Sequence, residues 1–209
     1  MAGVKRTFSN LIMHQLIFAT ANQNKAKEIQ AALPQGFEVL TMKEAGVEQD
    51  IPEPFFTLEE NAATKAQTIY LLTGQDCFAE DTGLEVEALH GAPGVHSARF
   101  AGEPRSDERN IQKLVQELQG QANRNAQFRT VMTLMLDGKQ YQFEGSCKGT
   151  IIDTPRGNEG FGYDPVFIPE GSTHTFAEMG LDQKNQFSHR KKALMKMIEF
   201  LKTAITEQN

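Results

Sequence analysis

Three carboxylates, two lysines and a basic helix start are the residues of this 209-residue chain that could act together on a phosphate. Glu53 lies in a loop just ahead of a helix pattern, and Glu80-Asp81 follow the apolar run Cys77-Phe78-Ala79 directly. Carboxylates in loops and at strand ends suit Mg²⁺, which takes hard oxygen ligands and keeps several waters. Solvated turn acids look the same in sequence, but burying Glu80 and Asp81 behind an apolar strand is costly unless they are paired or metal-bound. The segment Thr20-Ala21-Asn22-Gln23-Asn24-Lys25 turns the chain from a strand pattern into a helix pattern. Free N–H groups at a helix start attract anions and Lys25 adds a full charge, so a phosphate site fits there as well as an ordinary polar turn does. Lys65 follows Asn61 by four residues and shares a helix face with it.

Two later segments could read a base. Gly160-Phe161-Gly162-Tyr163-Asp164 sets two aromatic rings among small residues. An aromatic in such a loop can stack on a planar ligand, although Tyr163 reads better as a core anchor. Ser188-His189-Arg190 opens the last helix pattern. Arg190 offers donors in a fixed fork, yet its charge opposes the positive end of a helix, which favours a role outside the helix. The chain has no Walker loop, zinc-ligand spacing, dinucleotide fingerprint or serine nucleophile elbow. The chemistry that remains is metal-assisted attack of water on a phosphate.

These groups need elements to position them. Leu16–Ala19 reads as a buried strand, residues 25–33 as a helix stopped by Pro34 and Gly36, and residues 37–40 as a second strand. Thr57 and Glu60 form the Thr-x-x-Glu pattern of a capping box, opening a helix to about Leu72. Cys77–Ala79 is expected as a short strand that delivers Glu80-Asp81-Thr82-Gly83 at its end. Ser106–Leu118 is an amphipathic helix. Residues 128–136 and 139–152 are strands joined by the Asp137-Gly138 hairpin turn. A loop over 157–169 ends in a short strand, and residues 191–202 form the closing helix, with Ser188 as its N-cap. The pattern implies an α/β fold: one compact unit around a mixed sheet flanked by helices, in two lobes with a central cleft.

Composition narrows the function. Hydrophobic residues make up 39% and charged residues 23%, as in soluble globular chains. A net charge of -6 argues against a nucleic-acid binder. No apolar run approaches the ~20 residues a membrane helix needs. Residues 1–12 lack the apolar core of an export signal and read as a disordered extension before a single domain over 13–209. Cys77 and Cys147 read as two reduced, buried thiols, which fits a cytoplasmic protein.

The motifs carry a resemblance. Phe18–Lys25, Thr57–Ala62 with Lys65, Phe78–Ala88, Gly91–Arg99, Gly160–Pro165, and Lys184 with Ser188-His189-Arg190 stand in the order found in the inosine/xanthosine triphosphate pyrophosphatases. The resemblance spans about 16–201 and implies that the mixed sheet is elongated, with the active site in the cleft between two lobes. It implies hydrolysis of non-standard purine nucleoside triphosphates (ITP, dITP, XTP, dXTP) to the monophosphate and pyrophosphate, with Mg²⁺ as cofactor and a homodimer as the assembly. It implies that Thr20, Ala21, Asn22, Gln23, Asn24 and Lys25 hold the triphosphate with Lys65. It implies that Glu53 and Asp81 bind the metal, that Asp81 is also the base for water, and that Thr82 contacts substrate. Phe161, Gly162, Tyr163, Asp164, Lys184, His189 and Arg190 would form the base pocket. Many members place Asp before the catalytic Asp where this chain has Glu80, which leaves ligation by Glu80 open. A related pyrophosphatase for pyrimidine or methylated nucleotides, of the Maf type, and a nucleotide-binding regulator without turnover are the rival readings.

Overall fold

The computed structural model describes residues 13–49 and 51–207, so the extension expected at 1–12 lies outside the described residues. The chain opens with β1 (His14–Phe18), α1 (Gln23–Ala32) and β2 (Phe37–Thr41). The two strands run parallel, with Leu16 opposite Val39, which a crossover helix permits. Next come α2 (Leu58–Thr73), β3 (Cys77–Val86), the two-residue β4 (Pro93–Gly94) and α3 (Asp107–Glu117). The long hairpin β5 (Asn125–Leu136) and β6 (Lys139–Ile151) follows, then β7 (Phe167–Pro169), α4 (Leu181–Phe187) and α5 (His189–Glu207). The sheet order is β2-β1-β3-β5-β6-β7, with β4 paired to β3, so the sheet is mixed as expected. Asp137 and Gly138 take φ values of 49° and 77°, the doubly left-handed turn that a tight hairpin requires.

Local signals explain most helix boundaries. The Asn22 side chain accepts from the Asn24 and Lys25 amides and starts α1. Thr57 accepts from the Glu60 amide and starts α2, while the Glu60 carboxylate accepts from the Thr57 hydroxyl at 2.6 Å. Ser188 accepts from the Lys191 amide at the start of α5, as expected. The sequence LDQKNQF of α4 carries no apolar stripe, and that helix has no counterpart in the sequence reading.

One expectation needs correcting. β3 does not stop at Ala79. It continues to Val86 because β5 pairs with its whole length, from Cys77↔Met135 to Val86↔Ala126. β1 reaches only Cys77 and Phe78 before turning away. Glu80 and Asp81 therefore lie mid-strand, just past the end of their parallel neighbour. Crevices beyond the carboxyl ends of parallel strands are where open α/β sheets bind ligands.

Alternation along β3 then sorts side chains to two faces. Cys77 and Ala79 pack with Ala66 and Ile69 of α2, and Asp81 continues that face. On the other face Phe78 packs with Met132, Leu194 and Met197, whereas Leu84 and Val86 pack with Leu114, Phe128 and Phe176. Glu80 and Thr82 lie between these two apolar clusters, and Thr82 meets the Thr130 hydroxyl of β5 at 2.6 Å. The two lobes are these two clusters on shared strands, and the cleft is the polar band between them.

Gly145 of β6 lets α5 sit close to the sheet. A Cβ there would overlap the His189 carbonyl oxygen and lie 2.5 Å from the Ala193 nitrogen. Gly145→Ala must push the start of α5 away from the sheet, at a cost of about 1–3 kcal/mol as for other overpacked sites. Urea unfolding measures this, and an unchanged midpoint would show that the helix has room to spare.

Candidate active site

A chain of buried ions organises the polar band. Lys184 of α4 donates to Asp164 Oδ2 at 2.5 Å and to Glu28 Oε1 at 2.7 Å. Arg190 of α5 donates to the other Glu28 oxygen through Nη1, to Glu80 Oε2 at 2.7 Å through Nε, and to the Thr82 hydroxyl at 3.4 Å. Lys25 completes the series on Glu80 Oε1 at 3.0 Å. Glu28, Glu80, Asp164, Lys184 and Arg190 are each at most 5% exposed. Burial alone would raise the Glu80 carboxyl, but Arg190 and Lys25 outweigh it and hold the group at about 2. The same contest ends the same way at Glu28, where burial is outweighed by Arg190 and Lys184. At Asp164 burial wins over Lys184, and the carboxyl is raised.

His189 stacks on Phe128 with ring centres 4.8 Å apart. Burial, then the charges of Arg190 and Lys184, push its imidazole well below the usual range, so it is neutral at pH 7. Its Nδ1 is buried without a hydrogen-bond partner among the described residues. Phe161 turns its ring toward Lys184 and Arg190, at 5.3 and 5.7 Å. These residues, with Thr82, Gly162, Tyr163 and Asp164, line a narrow cavity of about 90 Å³. Tyr163 donates to the Ser97 carbonyl at 2.9 Å and belongs to the apolar cluster, the anchoring role expected for it.

A second cavity of about 310 Å³ adjoins the first. It is lined by Thr20, Ala21, Asn22, Glu53, Lys65 and Arg105, among others. Lys65 Nζ contacts Glu53 and lies 3.6 Å from Asp81 Oδ1. Asn61 donates to Asp81 Oδ2 at 3.3 Å and exchanges hydrogen bonds with the Phe55 backbone at 3.0 and 3.1 Å. It thereby ties the loop that carries Glu53 to the strand that carries Asp81. Burial raises the Asp81 carboxyl against the pull of Lys65 and Lys25, and Glu53 adds to the rise. Burial also acts on Glu53, but Lys65 prevails and lowers it.

Most of the sequence-derived residues line one of the two cavities; Asp81 lines neither but lies 3.6 Å from Lys65, which lines the second. Gln23 and Asn24 are exposed on α1 and line neither cavity. Glu80 points away from Asp81, and both its oxygens face cations. No group of three or more His, Cys, Asp or Glu side chains suited to a metal occurs among the described residues. Glu53 and Asp81, drawn to one ammonium beside a polar cavity, still fit Mg²⁺, which binds through one or two carboxylates plus substrate phosphates and water. Sequence reasoning missed Glu28, the counter-ion shared by Lys184 and Arg190. Its signal was an acid beside Ile29, one helical turn from Lys25, on a face that is buried. Arg105 and Asp107 were also missed, since neither falls within a recognisable motif.

Fold and site together define an α/β protein with a charge-lined cleft between two apolar lobes. The Ham1 family model matches residues 16–200, and the chain belongs to that family. A dITP/XTP pyrophosphatase of Flavobacterium psychrophilum is 50% identical over 188 residues, covering 90% of this chain and 99% of the relative. That of Porphyromonas gingivalis is 50% identical over 190 residues, covering 90% and 98%. The Ham1 protein structure from Staphylococcus aureus superposes with a TM-score of 0.82 at 37% identity, covering 91% of this chain and 99% of that one.

Removing one member of the buried chain should be expensive. Glu80→Gln leaves Arg190 and Lys25 short of a carboxylate and should cost about 3–5 kcal/mol at pH 7. The folded Glu80 carboxyl sits at about 2 against an ordinary 4.5, so its contribution is complete above pH 4.5 and fades as pH falls toward 2. Urea unfolding at pH 7 and pH 3 should show the variant losing less stability than the wild type on acidification.

Proposed function

We propose that this protein hydrolyses ITP, dITP, XTP and dXTP to the nucleoside monophosphate and pyrophosphate, and so keeps these nucleotides out of DNA and RNA. One observation carries the reading: a narrow slot lined by Phe161, Lys184, His189 and Arg190 opens onto the cavity of Glu53, Lys65 and Thr20–Asn22. A flat base suits the slot and a polyphosphate suits the cavity. The names of the relatives support the same substrates. The reading includes Mg²⁺ and a homodimeric assembly, as the family resemblance implies.

Base choice follows from donors. Hypoxanthine and xanthine carry a carbonyl oxygen where adenine carries an amine. Lys184 and Arg190 hold N–H groups at the slot, and a neutral His189 adds one donor and one acceptor. An oxygen can accept from the N–H groups these side chains have to spare, whereas an amine, itself a donor, cannot.

Asp81 is the base. Its raised carboxyl is a stronger proton acceptor than an ordinary aspartate, which suits work near neutral pH. Asn61 fixes one of its oxygens and leaves the other 3.6 Å from Lys65, which lines the cavity. Lys65 and Lys25 lie where they can draw the charge of the phosphates. Mg²⁺ bound by Glu53 and Asp81 would supply further neutralisation of phosphate oxygens.

A nucleotide panel read by pyrophosphate release tests the proposal. ITP and XTP should turn over far faster than ATP, dUTP or methylated UTP, and a preference for either pyrimidine would sink it. Asp81→Asn should lower kcat by about 10²-fold or more with ITP, the usual loss for a general base. Excess EDTA should abolish turnover and added Mg²⁺ restore it. Undiminished activity in EDTA would remove the metal from the reading.

A further inference from the structure

Arg105 is a cation that no motif singles out, yet it and Asn22 are the two residues that line both cavities. It precedes Ser106, the N-cap of α3, and its side chain is 45% exposed. The other cations at the cleft are already committed. Lys25 is paired with Glu80, Lys65 with Glu53 and Asp81, Lys184 with Glu28 and Asp164, and Arg190 with Glu28 and Glu80. Arg99, at the same cavity, is held by Glu103 at 2.6 Å. Arg105 has only Asp107 Oδ1, at 3.7 Å, and Asp107 already accepts from the Gly162 amide at 2.7 Å through its other oxygen. Its side chain thus borders both the slot and the cavity, and the one ion pair it makes among the described residues, to Asp107, is long.

A nucleotide whose base fills the slot and whose outer phosphates fill the cavity must place its α-phosphate at that junction. We infer that Arg105 is a catalytic residue that binds the non-bridging oxygens of the α-phosphate and stabilises the charge that gathers there during hydrolysis. The inference rests on the proposed pyrophosphatase activity. In that reaction the water oxygen bonds to the α-phosphorus and its proton passes to Asp81. The bond from the α-phosphorus to the bridging oxygen breaks, and its electron pair leaves with pyrophosphate. Negative charge builds on the α-phosphoryl oxygens as water attacks. A guanidinium fork is shaped to meet two of them. Lys65 of the inner cavity, already facing carboxylates, is placed instead for the leaving group.

The test is steady-state hydrolysis of ITP by the wild type, Arg105→Ala and Arg105→Lys, with thermal unfolding of each. Arg105→Ala should lower kcat by about 10² to 10³-fold, the range for loss of one transition-state donor, with KM changed only a few-fold. Arg105→Lys should recover part of the loss, and the melting temperatures should agree, since the side chain makes no close contact that the fold needs. An Arg105→Ala enzyme with wild-type kcat overturns the inference, as does a rise in KM with kcat intact, which would make Arg105 a ground-state contact. A kcat loss that tracks a fall in melting temperature, and that Arg105→Lys repairs for both, also overturns it in favour of a structural role. Failure of the wild type itself to release pyrophosphate from ITP would remove the parent reading and this inference together. An active wild type beside an undiminished Arg105→Ala removes this inference alone.

Discussion

The buried series Asp164–Lys184–Glu28–Arg190–Glu80–Lys25 is the constraint on which the rest of the cleft depends. Each of its inner members has lost its water, which costs several kcal/mol per ion unless opposite charges and hydrogen bonds replace it. The replacements come from five different elements: α1 supplies Glu28 and Lys25, β3 supplies Glu80, the turn before β7 supplies Asp164, and α4 and α5 supply Lys184 and Arg190. None of these elements can shift without stranding a charge. Apolar residues of similar size would hold the helices at least as well. The ions therefore point to chemistry, because they keep donors in fixed positions along a wall that a ligand can reach.

The same logic explains how Arg190 survives at a helix start. A cation in the first turn meets the positive end of the helix dipole, which is unfavourable. Glu28 and Glu80 lie against the guanidinium and reverse the balance, and the Arg190 side chain is more firmly protonated than a free arginine, its burial notwithstanding. Gly145 completes the arrangement, since only a residue without Cβ lets the first turn of α5 come down onto β6.

Strand alternation divides the labour between adjacent carboxylates. Glu80 and Asp81 are neighbours in the chain but face opposite sides of β3, so one stiffens the slot and the other is left to act on a ligand. Asp81 stays open to the cleft side because β1 ends beside Phe78 and β4 joins that edge only at Leu84 and Glu85, which leaves β3 without a strand neighbour there from Glu80 to Gly83. The Thr20–Asn22 turn and the Asn61-held loop of Glu53 border this gap. Through three hydrogen bonds Asn61 joins the Asp81 carboxylate to the backbone of the loop that carries Glu53.

The sequence by itself determined the elements with strong local signals. The hairpin at Asp137-Gly138, the caps at Thr57 and Ser188, and the apolar stripe of α5 all depend on residues near one another in the chain. It also determined the residue types of the site, because motif spacing survives without coordinates. Tertiary structure alone decided where β3 ends, since its second half exists through pairing with β5, forty or more positions away by the paired residue numbers. It decided that Glu80 belongs to a buried ion chain rather than beside Asp81, since the face a residue takes is set by register. It decided that Glu28 is a shared counter-ion, since its partners Lys184 and Arg190 lie 156 and 162 positions further on. Capping and turn geometry are short-range and legible in order. Register, burial and the pairing of distant charges are long-range, and they acquire values only when the chain has closed on itself.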